Sequence, residues 1–271
     1  MQAGSHYLPD SDRIGVLTAT VLMTYALTRL VNTPGLTLTL QLPGFYFAYP
    51  LTLTTAMTVM AAGLTATGMD WLLRGHPSLG GRRTLEHWLL PTLTAFMIGA
   101  PLSILPAGML WWVGFAISAA ILVAVFVAEY ITVDPASPSY GIASAGLTSL
   151  SYGIFLIFAI SLRTAGVRLF LLVPLILAAA GLVCLRSLHL RISGRWNFPW
   201  AAGTGILCAQ IAAGLHYWPL TALQFGLVLL GPLYALTALA ASLSEDIPLR
   251  RAAVEPGVIV AIAWGAAIFL R

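Results

Sequence analysis

No lysine occurs anywhere in this chain, and all thirteen of its basic residues are arginine. Chemistry that needs a lysine Schiff base, as in retinal- or pyridoxal-dependent proteins, is therefore excluded. Charge of either sign is scarce: 8% of residues are charged and 59% hydrophobic, whereas a soluble domain carries roughly a quarter charged residues. With a mean hydropathy of +0.91, this is the composition of a membrane protein. Cysteine is almost absent. Cys184 and Cys208 both fall inside apolar runs, where a thiol behaves as a small hydrophobe, and they form neither a disulfide framework nor a zinc pattern. A P-loop, GxSxG, HExxH and an aspartate-rich diphosphate motif are all missing from the sequence, so none of their chemistries is indicated. The net charge of +4 would point to nucleic acid only if the arginines formed a basic stripe. They are spread between apolar segments, and no nucleic-acid partner is expected.

The chain does contain apolar runs long enough to cross a bilayer, which takes about 20 residues. Nine such stretches are predicted: 14–32, 47–73, 86–105, 108–131, 140–162, 168–188, 198–217, 220–242 and 254–270. The expected fold is all-α, a polytopic transmembrane helical bundle, with residues 1–271 as a single integral membrane domain. The N-terminus has no basic n-region and carries Pro9, Asp10 and Asp12, so the first apolar run reads as a retained span and not a cleaved signal.

Arginine placement orients this threading, because cytoplasmic loops are enriched in Lys and Arg. Arg13, Arg74, Arg82, Arg83, Arg186, Arg191, Arg195, Arg250 and Arg251 fall on one side, and Arg29, Arg163, Arg168 and Arg271 on the other. Nine against four implies a cytoplasmic N-terminus, an outer C-terminus and residence in the inner membrane. All nine acids fall on the arginine-rich side as well. Seven of the eight tryptophans lie near span ends, as aromatic belts do, and Trp264 alone lies inside a span. The first outer loop differs from the rest. Leu36, Leu38, Leu40 and Leu42 alternate with Thr37, Thr39 and Gln41 between two Pro-Gly breakers, the period-two signature of a strand.

Ionisable groups at mid-membrane are costly and usually functional, but the span centres here hold only uncharged polar residues. Gln210, Gln224, Tyr152, Tyr234 and the threonines Thr52, Thr54, Thr55 and Thr58 are read as interhelical hydrogen-bonding groups, and Gly205, Ala209 and Ala213 as a close-packing face. The charged residues collect at the inner ends of the spans. Asp70 and Arg74 have the i, i+4 spacing of a helical ion pair. If the inner ends converge, Asp70, Glu86, His87, Glu129, Arg186 and His189 would line one polar mouth capable of acid–base work on a lipid headgroup. Interfacial ion pairs and snorkelling arginines are the structural alternative. No cofactor and no metal site is expected: Glu86 and His87 are adjacent and cannot form an i, i+4 ligand pair, and His87 with His189 lie in no haem-ligation motif. Pro91 and Pro101 mark the third span as the candidate irregular helix, with the carbonyl of His87 freed by Pro91. Glu86 suits the positive end of a helix starting near Thr84.

At LEHWLLPTLTAF, WWVGFA, AEYITVDP and LLGPLYALTALA, the chain resembles an uncharacterised family of bacterial multi-pass membrane proteins known as a domain of unknown function. The resemblance runs from the third span onward. It implies a helical membrane fold and assigns no activity or residues. Three readings of function follow: a scaffold or accessory subunit or binder of lipophilic ligands; a permease or exporter of a lipophilic or uncharged solute; and a lipid- or isoprenoid-modifying enzyme at the cytoplasmic interface. The expected partners are membrane lipids and a second copy or another membrane subunit.

Overall fold

The computed structural model describes residues 9–31, 36–42, 45–79, 84–192 and 196–269. Arg82, Arg83, Arg195 and Arg271 lie outside them. The chain forms two compact units, Met1–Ala143 and Ser144–Arg271.

In the first unit, α1 (Ser11–Leu30) begins where the Asp10 side chain accepts the Asp12 amide at 3.1 Å. This satisfies one of the amides that a helix start leaves without a partner. The alternating segment forms β1 (Leu36–Leu42), paired antiparallel with β2 (Phe45–Leu51), Leu36 opposite Leu51 and Leu42 opposite Phe45. Thr37, Thr39 and Gln41 are exposed. The Thr52 hydroxyl then caps α2 (Leu53–Leu73) by accepting the Thr55 amide. Two 3-10 turns, Pro77–Leu79 and Leu85–His87, lead to α3 (Leu89–Ile104). Gly108, at φ +139°, makes the tight turn into α4 (Met109–Ile131), a conformation that residues with a Cβ rarely adopt. Leu17, Val21, Met69, Ala95, Leu122 and Phe126 form the centre of this unit's core. The Tyr25 hydroxyl donates to the carbonyl of Ala95, tying α1 to α3.

The helix α5 (Tyr140–Thr164) runs into the second unit, which continues with α6 (Leu169–Arg191), α7 (Phe198–Leu215), α8 (Ala222–Ser244), the short α9 (Leu249–Ala252) and α10 (Val254–Phe269). Phe155, Ile176, Cys208, Phe225 and Leu229 are the heart of its core. A reciprocal capping box between Thr221 and Gln224 starts α8. The expected small-residue face is used at Gly205, where a Cβ would lie 2.7 Å from the carbonyl oxygen of Leu177. Only glycine lets α6 and α7 approach this closely.

Among the described residues, six helical segments are long and apolar enough to cross a membrane: Met109–Ile131, Tyr140–Thr164, Leu169–Arg191, Phe198–Leu215, Ala222–Ser244 and Leu249–Phe269. The other three predicted spans fall short, each for its own reason. In the 14–32 region, α1 is diluted by Asp12, Arg13, Arg29 and four threonines. Within 47–73 the first residues are strand β2, and α2 is rich in threonine and carries Asp70 in its last turn. For 86–105, α3 has 16 residues, about 24 Å of helix against a hydrocarbon core of about 30 Å. The helix begins at Leu89, not near Thr84, because a 3-10 turn precedes it. Pro91 therefore sits in the first turn, where an amide would have no partner in any case; only Pro101 is internal.

Candidate functional site

Asp70, Arg74, Glu86, His87 and Glu129 gather where the C-terminal ends of α2 and α4 meet the turn before α3. Asp70 holds Arg74 at 2.7 Å, the predicted i, i+4 pair, and accepts the Thr84 hydroxyl at 2.6 Å. Thr84 in turn accepts the His87 amide with its carbonyl at 2.9 Å. This pins the 3-10 turn Leu85–His87 to the end of α2, and the turn aims His87 at α4. There its Nδ1 lies 2.8 Å from Oε2 of Glu129, and its Nε2 lies 3.4 Å from Oε1 of Glu86. Glu129 has no solvent exposure, His87 is 5% exposed, and the Glu86 side chain is 27% exposed.

An imidazole between a buried and a solvent-reaching carboxylate is a competent acid–base unit. The deep carboxylate orients the ring and favours a proton on Nδ1, while Nε2 faces the carboxylate on the accessible side. His76 packs beside this group. Its ring is tilted against Tyr130 at 4.5 Å, and its Nδ1 accepts the Ser78 amide at 3.1 Å. That bond requires an unprotonated Nδ1, the neutral ring. Burial holds the His76 pKa below the usual histidine value; Asp134 pulls it the other way, and His87 lowers it further. A small cavity of about 220 Å³ opens between Asp10, Arg13, Leu72, Gly75 and Tyr130.

Of the six residues expected at the polar mouth, Asp70, Glu86, His87 and Glu129 are brought together in the first unit. Arg186 and His189 belong to the second. Both are buried on α6, with His189 stacked on Trp196 at 4.4 Å. Among the described residues no group of histidine, cysteine and carboxylate side chains could hold a metal ion.

The second unit holds an apolar pocket of about 500 Å³, walled by α7, α8 and α10 through Ile211, Leu215, Val228, Trp264 and Ile268 and closed by the turn at Trp218 and Pro219. Its polar atoms are turned to the backbone. Gln224 Nε2 donates to the Ala267 carbonyl at 3.0 Å, Gln224 Oε1 accepts the Thr221 amide at 2.9 Å, and Trp264 Nε1 donates to the Val228 carbonyl at 3.2 Å. Arg163 fixes the pocket's rim by donating to the carbonyls of His216 and Trp218, each at 2.7 Å. Its sequence had offered only an outer-side charge, since the acceptors lie more than fifty residues away on the main chain. His216 stands edge-on to Tyr217, and its Nδ1 finds no partner among the described residues.

Residues 33–270 match the family described as Protein of unknown function (DUF5656). The chain belongs to this family. The match begins ahead of the β1–β2 hairpin, so the family spans both units and not only the region from α3 onward. No curated protein and no solved structure matches the chain.

Proposed function

We propose that this protein is a membrane-embedded binder of a lipophilic ligand, held in the apolar pocket between α7, α8 and α10. The observation that carries the reading is the pocket's wall: about 500 Å³, within the roughly 300–1,000 Å³ of small-molecule sites, with Gln224 and Trp264 already bonded to backbone carbonyls. Such a wall rewards burial of an acyl or isoprenoid chain and offers a polar ligand little in exchange for its hydration. Lipid mass spectrometry on protein purified in mild detergent tests it. The expected result is a stoichiometric lipid retained by the native protein and lost from Val228→Phe and Ile268→Trp, which fill the pocket. Equal, non-stoichiometric lipid in all three would remove the proposal.

We place the chain in a bacterial inner membrane with nine crossings, the less apolar α1 and α2 and the short α3 crossing beside α4 where the bilayer thins to meet them, the N-terminus cytoplasmic and the C-terminus outside. The packing of α1, α2 and α3 along the apolar α4 in one core supports this threading, as does the one-sided distribution of the acids. Cysteines at Arg74→Cys and Ala107→Cys should then react with impermeant maleimide from opposite sides; labelling from one side contradicts the threading.

A second reading, acid–base catalysis on a lipid at the inner face, is favoured by the Glu86–His87–Glu129 arrangement. It predicts that Glu129→Gln abolishes a cell-based function at unchanged folded yield, and a fully active variant would rule it out.

A further inference from the structure

The first unit holds another cavity, and its chemistry is the opposite of the apolar pocket's. It measures about 340 Å³ and lies between the N-terminal half of α2 and the C-terminal half of α3, lined by Thr52, Thr54, Thr55, Thr58, Ser103 and Phe96. In the sequence LTLTTAMT these threonines look like interhelical glue. In the structure their hydroxyls line an open space. Thr58 is buried and spends its proton on the Thr54 carbonyl at 2.8 Å, and Thr52 accepts the Thr55 amide at 3.2 Å while lying 3.0 Å from the Thr55 hydroxyl. The Thr54 hydroxyl makes no hydrogen bond among the described residues. A hydroxyl offers one donor and two acceptor sites, so this set retains capacity for both kinds of partner. Gly99 forms the floor: a Cβ there would lie 2.5 Å from Thr58 Oγ1, so α3 closes against that hydroxyl only as glycine.

We infer that this cleft binds an uncharged polyhydroxylated group, a hexose or a polyol of similar size. Among the described residues no charged side chain lines it, so an anion or cation would lose its hydration without a counter-charge. Hydroxyls that can both give and accept match a ligand made of hydroxyls, and the half-exposed Phe96 ring offers a flat apolar surface to a sugar's C–H face. The cleft is in the first unit and the apolar pocket in the second, so either assignment can fail without the other.

The group could arrive as free sugar or as the headgroup of an uncharged glycolipid, and the experiment has an arm for each. Full-length protein in nanodiscs is titrated with glucose by saturation-transfer NMR, and in parallel is reconstituted with glucosyl diacylglycerol and assayed for retained glycolipid. Binding in the first arm identifies a solute site, and binding in the second alone a headgroup site; both support the proposal. The double variant Thr55→Val/Thr58→Val should bind roughly tenfold or more weakly, the loss of two hydrogen bonds. Valine keeps the side-chain shape, and the Thr54 carbonyl keeps its helical amide. Phe96→Leu, at an exposed position, provides a variant safe for folding and should also bind more weakly with an unchanged melting temperature. No binding in either arm, or wild-type binding by both variants, overturns the inference.

Discussion

Replacing Gly205 with alanine tests how closely α6 and α7 are packed. On helix propensity alone the change should stabilise the protein by up to about 1 kcal/mol. The new Cβ, however, would stand 2.7 Å from the Leu177 carbonyl oxygen and 3.4 Å from the Gly181 nitrogen. The first contact is short by about 0.7 Å, and a main-chain carbonyl inside a helix cannot swing aside as a side chain would. The two helices must separate, at a cost of about 1–3 kcal/mol for overpacking. The net expectation is destabilisation by about 1–2 kcal/mol. Gly203, two residues earlier on α7, is the internal control: nothing lies within 4 Å of its Cβ position, so Gly203→Ala should be neutral or slightly stabilising. Thermal unfolding of both variants in one detergent should separate their midpoints by several degrees, at about 2–4 °C per kcal/mol for a protein of this size. Because Ile211 and Leu215 of α7 line the apolar pocket, Gly205→Ala should also lower retained lipid. A Gly205→Ala midpoint at or above that of Gly203→Ala would refute the reasoning.

The buried His87–Glu129 pair predicts strong coupling. His87→Ala removes the 2.8 Å partner of a fully buried carboxylate and should cost about 1.5–3 kcal/mol, while Glu129→Gln, which keeps shape and an acceptor, should cost less. A double-mutant cycle with coupling near zero would deny the pair an energetic role. Acidification should act through His76. Its pKa is lowered in the fold, so between the folded and the ordinary value of about 6.5 the unfolded chain binds the extra proton. Stability is therefore full above about pH 6.5 and declines as the pH falls below it. Melting curves from pH 8 to 5 check this: His76→Gln should flatten that part of the profile, and an unchanged slope would count against it.

Much of the architecture was legible from local pattern. Apolar runs of membrane length mark α4 to α8, because a helix satisfies its own backbone and a continuous apolar surface needs no distant partner to declare itself. The alternation from Leu36 to Leu42 marked β1 in the same way, and the spacing of Asp70 and Arg74 marked their ion pair. The reading failed where local signals competed. Threonines and charged ends removed α1 and α2 from the strongly apolar class, strand β2 claimed the start of the second span, and the 3-10 turn at Leu85–His87 moved the start of α3 to Leu89 and made Pro91 a helix-start residue.

What the sequence by itself determined is thus the class of the protein, its helices and the types of polar residue at their ends. Tertiary structure alone decided which of those residues meet. His87 and Glu129 are forty-two residues apart, Arg163 reaches the carbonyls of His216 and Trp218, and the threonines of α2 face a cleft because Gly99 on another helix has no side chain. Each of these relations depends on how helices pack in three dimensions, and a pattern confined to one helix cannot encode the distance to the next.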